Sequence, residues 1–258
     1  MIRFSLILLA TCIAVQAVDS LPPLKKVPQN VTELWAVYDP RKEPLRTKVV
    51  REWEEDGVVV RYVRYFIGSF KSKAAWMAAF YAFPKGENNL PGVLHMHGGG
   101  QRANLHLVKY HARRGYAVLS VNWGGRPMEG AKPAEANTDW GAVDPTQNNV
   151  HGYFNVEPGE KFLDAQESPR NCNWFLLTLG CRRGLTFLEQ QPEVDGDRLG
   201  IRGHSMGGNL TMYLAGTDTR VKVASPSVGG TGFRLDPYYH VPPQIRRVKG
   251  DRESFRRT

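Results

Sequence analysis

From residue 48 onward the chain alternates between short β-type runs of apolar residues and stretches with helical spacing. Lys48–Trp53, Val58–Phe70 and Ala74–Phe83 are rich in β-branched and aromatic residues, and Asp56-Gly57 between the first two is a tight-hairpin signal. They predict three antiparallel strands. Gly92–Met96 and Tyr116–Asn122 are continuous apolar runs, as strands covered on both faces tend to be. Arg102–Arg114 between them predicts a helix. Leu176, Leu179, Cys181, Leu185 and Leu188 recur near helical spacing. Arg198–Arg202 then predicts a strand, Gly207–Ala215 a helix and Val221–Ala224 another strand. This order predicts a doubly wound, mainly parallel α/β sheet with N-terminal antiparallel strands, in a domain over residues 45–258.

Two stretches break the pattern. Residues 18–44 predict an extended, proline-punctuated leader lying over the domain surface. Gly124–Lys161 follows the C-terminal end of a predicted strand, lacks periodicity and is rich in Gly, Pro, Asn and Asp. Long loops in compact domains are usually functional or disordered, and α/β sheets bind ligands at that end of their strands. Trp140, Tyr153 and Phe154 are either walls of a substrate pocket or anchors of a surface flap.

Composition narrows the class. A chain of 258 residues is long enough for one sizeable core, and 41% hydrophobic with 23% charged residues is a globular balance rather than a disordered one. The net charge of +9 permits an anionic partner. The basic residues are scattered, however, so nucleic-acid binding is not expected. Arg3, the apolar run Phe4–Val15 and the small-residue site ending at Ala17 match a secretory signal peptide over residues 1–17. That run is too short for a stable membrane span. The chain is therefore expected to be secreted or periplasmic after cleavage behind Ala17. Cys172 and Cys181 sit in one predicted helix, about 13 Å apart at the helical rise, too far for a disulfide. No cofactor and no metal site is expected, with His95 and His97 placed on opposite faces of their strand.

The sharpest chemical signal is Gly203-His204-Ser205-Met206-Gly207, set between a predicted strand and a predicted helix. A Gly-x-Ser-x-Gly turn in that setting is a nucleophile elbow. The glycines remove side chains that would strike neighbouring backbone. His97-Gly98-Gly99-Gly100 follows an earlier apolar strand, where an oxyanion loop belongs. A serine hydroxyl needs a base to become nucleophilic, and backbone N–H groups must meet the developing oxyanion. Ser205 is the candidate nucleophile. The N–H of Met206 is one expected donor and that of Gly99 the second, with Gly100 as the alternative. His97 is expected to order the loop and border the pocket, and His204 to pack rather than to serve as the base.

The stretch Val194-Asp195-Gly196-Asp197-Arg198-Leu199-Gly200-Ile201-Arg202-Gly203-His204-Ser205-Met206-Gly207-Gly208 resembles the elbow region of acetyl xylan esterase-like and dienelactone-hydrolase-like α/β-hydrolases. Asp139-Trp140-Gly141-Ala142-Val143-Asp144-Pro145 and Pro226-Ser227-Val228-Gly229-Gly230 resemble segments of secreted carbohydrate acetyl esterases. The resemblance implies an α/β-hydrolase fold and deacetylation of a small-molecule or polysaccharide ester. A peptidase or another acyl hydrolase of the same fold is the neighbouring reading.

In that fold the acid and then the histidine follow the serine. His240 is the sole histidine after Ser205, and the acids there are Asp218, Asp236, Asp251 and Glu253. Asp236 and His240 are four apart in one loop, a spacing that does not suit residues from separate strands. The triad acid and base are therefore expected beyond Thr258, in a C-terminally truncated chain that lacks the last strands and hydrolyses acetyl esters very weakly or not at all. The alternative is a non-catalytic hydrolase-fold protein.

Overall fold

A computed structural model describes residues 20, 26, 28–70, 73–124, 126–140 and 173–229. Its centre is a seven-stranded sheet in the order β1-β2-β3-β5-β4-β6-β7. The strands are β1 (Lys48–Glu55), β2 (Val58–Phe70), β3 (Lys73–Pro84), β4 (Leu90–Met96), β5 (Ala117–Val121), β6 (Val194–His204) and β7 (Val221–Ser227). The helices are α1 (Val31–Leu34), α2 (Leu105–Ala112), α3 (Asn173–Glu189) and α4 (Met206–Thr217). The β1–β2, β2–β3 and β3–β5 ladders are antiparallel, while β5–β4, β4–β6 and β6–β7 are parallel. The sheet is thus mixed, antiparallel in its N-terminal half and parallel around the elbow strand. This is an α/β-hydrolase arrangement.

Local chemistry explains the elements. Asp56 and Gly57 both have positive φ, 50° and 74°, as a two-residue hairpin matching the strand twist requires. On β2 and β3 alternate residues enter two separate cores. Val59, Val63, Met77, Ala79 and Tyr81 face one side, which α3 and α4 cover with Leu179, Leu185, Leu188, Leu210 and Leu214. Val58, Val60, Tyr62, Ala78 and Phe80 face the other, covered by Val108 and Ala112 of α2. Burial on both faces is why these strands read as apolar runs rather than as an apolar–polar alternation.

The leader is held more firmly than an extended surface strip. Asn30 caps the four-residue helix α1 by accepting the Glu33 N–H. Buried Arg183 of α3 donates to the carbonyls of Pro40, Glu43, Pro44 and Phe66. Arg41 forms a bidentate pair with Glu189 at 2.8 and 2.7 Å. Cys181 is buried in the α3 core, and that burial pushes its thiol pKa up to about 12, so it is inert. Cys172, Tyr153, Phe154, Asp236, His240 and residues 1–17 lie outside the described residues. Among those described, no helix is long and apolar enough to cross a membrane.

At the far edge, β7 pairs with β6 on one side only, and residues 222–227 are exposed. Its opposite partner position is open among the described residues.

Candidate active site

The elbow is built by close backbone packing. β6 ends at His204, α4 starts at Met206, and Ser205 between them has φ 55° and ψ −116°. A non-glycine residue at positive φ costs on the order of 1–3 kcal/mol and persists only where its surroundings impose it. Here Ser205 donates its N–H to the Ser227 carbonyl at 2.8 Å, and the Ser205 carbonyl accepts from Asn209 N–H at 3.1 Å. The flanking glycines have no room for a methyl group. A Cβ on Gly203 would lie 2.1 Å from the Gly207 carbonyl oxygen, and one on Gly207 would lie 2.0 Å from the Met96 oxygen and 2.7 Å from that of His97. The carbonyls that collide with Gly207 come from the end of β4 and the start of the His97–Gly100 loop. The two sequence signals therefore meet in space.

The loop is ordered by a small polar network. Gly98 N–H donates to Gln101 Oε1 at 2.9 Å, and Gln101 N–H returns to the Gly98 carbonyl at 3.3 Å. Gly100 completes this turn with φ 72°. The His97 ring stacks on Trp123, with centroids 4.6 Å apart and planes 8° from parallel. Trp123 Nε1–H donates to the His97 carbonyl at 2.9 Å. His97 Nδ1 lies 2.7 Å from the Gly98 carbonyl, and its Nε2 lies 3.4 Å from the Gly124 nitrogen. A carbonyl can only accept, so Nδ1 carries the proton and Nε2 receives the Gly124 N–H. That assigns a neutral ring. Burial, with the nearby Arg126 charge adding to it, holds the His97 pKa down to about 4. His97 is thus a positioning residue for the loop, and the ring also borders the adjoining cleft.

That cleft, of about 640 Å³, lies against the elbow on the α2 side of the sheet. Its lining includes His95, His97, Gly100, Gln101, Gly203, His204 and Ser227, but not Ser205, Gly99 or Met206. Ser205 is partly exposed at its rim, between His204 and the first turn of α4. The N–H groups of Met206 and Gly207 open that helix, where no backbone carbonyl of the preceding turn can receive them.

Three sequence expectations change. His95 and His97 border one cleft rather than opposite faces, because residues two apart along an extended chain point the same way. His95 Nδ1 is 2.8 Å from Ser120 Oγ, and burial lowers its pKa to about 3. His204 is exposed rather than packed, with Nδ1 3.3 Å from Ser227 Oγ. Trp140 is not among the described residues lining this cleft. It is fully buried in the core, and its Nε1–H donates to the Trp123 carbonyl at 3.2 Å. Among the described residues no histidine or carboxylate is hydrogen-bonded to Ser205 Oγ.

Three supporting residues escaped the sequence reading: Gln101, Trp123 and Ser227. Gln101 had a usable signal, a polar amide directly after a glycine run whose N–H groups need acceptors. Trp123 and Ser227 had none, since both act through contacts distant in sequence.

The acetyl xylan esterase (AXE1) family profile matches residues 13–229, which span the leader, the His97–Gly100 loop and the elbow. The chain belongs to the acetyl xylan esterase family. This makes it a member of an esterase family within the α/β-hydrolase fold. Solved structures agree on the fold. The acetyl xylan esterase from Paenibacillus sp. R4 superposes with a TM-score of 0.60 at 23% identity, covering 88% of this chain and 67% of that one. Acetyl xylan esterase 1 from Thermoanaerobacterium sp. JW/SL YS485 gives a TM-score of 0.54 at 16% identity, covering 91% and 73%. This family member thus spans about two thirds to three quarters of the length of those two esterases. No curated protein matches it.

Proposed function

We propose that the chain is a secreted serine carboxylic-ester hydrolase that removes acetyl groups from carbohydrate. The observation carrying this reading is the strained Ser205 turn packed against the His97–Gly100 loop. Ser205 Oγ adds to the ester carbonyl while its proton passes to a base. The carbonyl oxygen becomes an oxyanion, received by the N–H groups of Gly99 and Met206, with Gly100 as the alternative donor. The C–O bond to the sugar then breaks, the alcohol leaves with a proton, and an acetyl group remains on Ser205. Water attacks that acyl-enzyme by the same path and releases acetate. The base and its supporting acid come from outside the described residues. Loss of such partners costs serine enzymes on the order of 10⁴–10⁶-fold. Membership of the acetyl xylan esterase family supports the acyl and alcohol classes, and the apolar N-terminal stretch supports export with cleavage after Ala17.

The test is acyl-enzyme trapping. The protein is mixed with p-nitrophenyl acetate, quenched in acid, digested and examined by mass spectrometry. Acetyl on the peptide containing Ser205, absent in Ser205→Ala, is the expected result. Acetyl release from acetylated xylan that persists unchanged in Ser205→Ala refutes the proposal.

A further inference from the structure

Among the described residues, the cleft beside Ser205 is lined by more cations than carboxylates, which ester hydrolysis alone does not require. Arg102, Arg126 and Arg202 line it, and Glu129 is the one carboxylate among its described lining residues. Its two buried histidines, His95 and His97, are neutral near pH 7 and add nothing to either sign. The arginine charges are felt inside the cleft. Arg202 opposes protonation of His95 from β6, and Arg126 does the same to His97 from the loop after β5. Two of the guanidinium groups are also held in place. Arg202 Nη1 donates to His111 Nε2 of α2 at 2.7 Å, leaving the rest of its fork for a ligand. Arg102 Nη1 donates to the Pro127 carbonyl at 3.2 Å. A planar guanidinium with a fixed edge is well suited to a carboxylate. The position matters as much as the charge. Gly203 and His204, which line the cleft, directly precede Ser205, and Ser227, which also lines it, holds the Ser205 N–H. An alcohol group extending from an ester on Ser205 toward α2 enters this space.

We propose that the cleft recognises a carboxylate on the alcohol portion of the ester, so that acetylated oligosaccharides bearing a uronic acid are preferred over neutral ones. This rests on Ser205 as the nucleophile for its position in catalysis. The recognition itself is independent of turnover and is tested by binding.

The 258-residue chain is titrated calorimetrically with a xylo-oligosaccharide carrying one glucuronic acid, and with the neutral oligosaccharide of the same backbone length. At low salt the acidic ligand binds tighter by roughly 3- to 10-fold, about the scale of one or two solvent-screened charge pairs. High salt shrinks the difference. Arg202→Gln and Arg126→Gln each lower affinity for the acidic ligand more than for the neutral one, and so reduce the preference, with the fold checked by circular dichroism. Arg126 lies on a loop, so its variant keeps the test available if the strand variant does not fold. Ser205→Ala retains the preference even though acyl-enzyme formation is lost, which separates failure of the nucleophile from failure of the cleft. Equal affinity for the two ligands, binding of neither, or a preference that survives both arginine variants overturns the proposal.

Discussion

A single methyl group at Gly207 is the most direct test of how tightly the elbow is built. The Cβ of Gly207→Ala would sit 2.0 Å from the Met96 oxygen, when even 3.0 Å is closer than real Cβ contacts come. At least 1 Å of movement is needed, and the obstacle is backbone. Met96 pairs with Val121 of β5 and Gly203 of β6, so its carbonyl cannot swing aside alone. Overpacking a tight site costs about 1–3 kcal/mol, and a backbone obstacle puts this case near 3. Alanine returns about 0.5–1 kcal/mol through its better helix propensity, leaving a net loss of about 2 kcal/mol. For a chain of this size that lowers Tm by roughly 4–8 °C. Gly216 in the same helix is the control, because a Cβ there meets nothing within 4 Å and its φ is not positive. Gly216→Ala should raise Tm by about 1–4 °C. Thermal unfolding followed by circular dichroism reads both. If the two variants shift Tm in the same direction, or Gly207→Ala matches wild type, the packing argument for the elbow is wrong.

Further tests address the charges and the loop. The folded pKa values of His95 and His97 lie below the unfolded value of about 6.5, so the unfolded chain binds more protons between about pH 4 and 6.5. Stability should therefore rise with pH across that window by up to about 2.7 kcal/mol per unit. Urea unfolding at pH 5 and 7 measures this, and a flat profile contradicts two buried neutral rings. Asp218 is buried between Arg220 at 2.7 Å and Arg182 at 3.2 Å. Asp218→Ala leaves Arg182 without its carboxylate and Arg220 with Glu189 alone at 3.0 Å, and should cost about 3–5 kcal/mol by chemical denaturation, with a loss under 1 kcal/mol contradicting this. Gln101→Leu leaves the partly buried Gly98 N–H without its acceptor and should cost about 1–3 kcal/mol. Unchanged amide exchange at Gly98 would count against that role.

The sequence carried the elements that depend on local pattern. The apolar runs located β2 to β5, and Asp56-Gly57 located a hairpin whose positive φ values only a few residue types tolerate. The Gly203–Gly207 motif was legible because its glycines answer to backbone collisions, which do not depend on the rest of the sequence. What could not be read is set by distant partners. Trp140 reads as an aromatic in a polar loop, yet it is buried because β3 pairs with the adjacent Asp139. His204 reads as a packed neighbour of the nucleophile, yet β6 ends with its ring turned out toward Ser227. The placement of His95 and His97 failed for a different reason. The strand period alone puts them on one side.

The strap formed by the leader on α3 bears on the order of folding events. The contacts between Arg183 and Pro40, Glu43 and Pro44 join residues about 140 positions apart. Closing so long a loop is entropically expensive, so such contacts tend to form after the folding barrier rather than before it. Stabilisation added beyond the barrier slows unfolding and leaves the folding rate nearly untouched. Arg183→Met should accordingly steepen the loss of native protein over time, raising the unfolding rate while the refolding rate stays within about twofold. An equal fall in the refolding rate would place the strap in the nucleus instead. In this view the segment ahead of β1 acts as a kinetic fastener. It governs how long the fold lasts once formed, and has little influence on how it is reached.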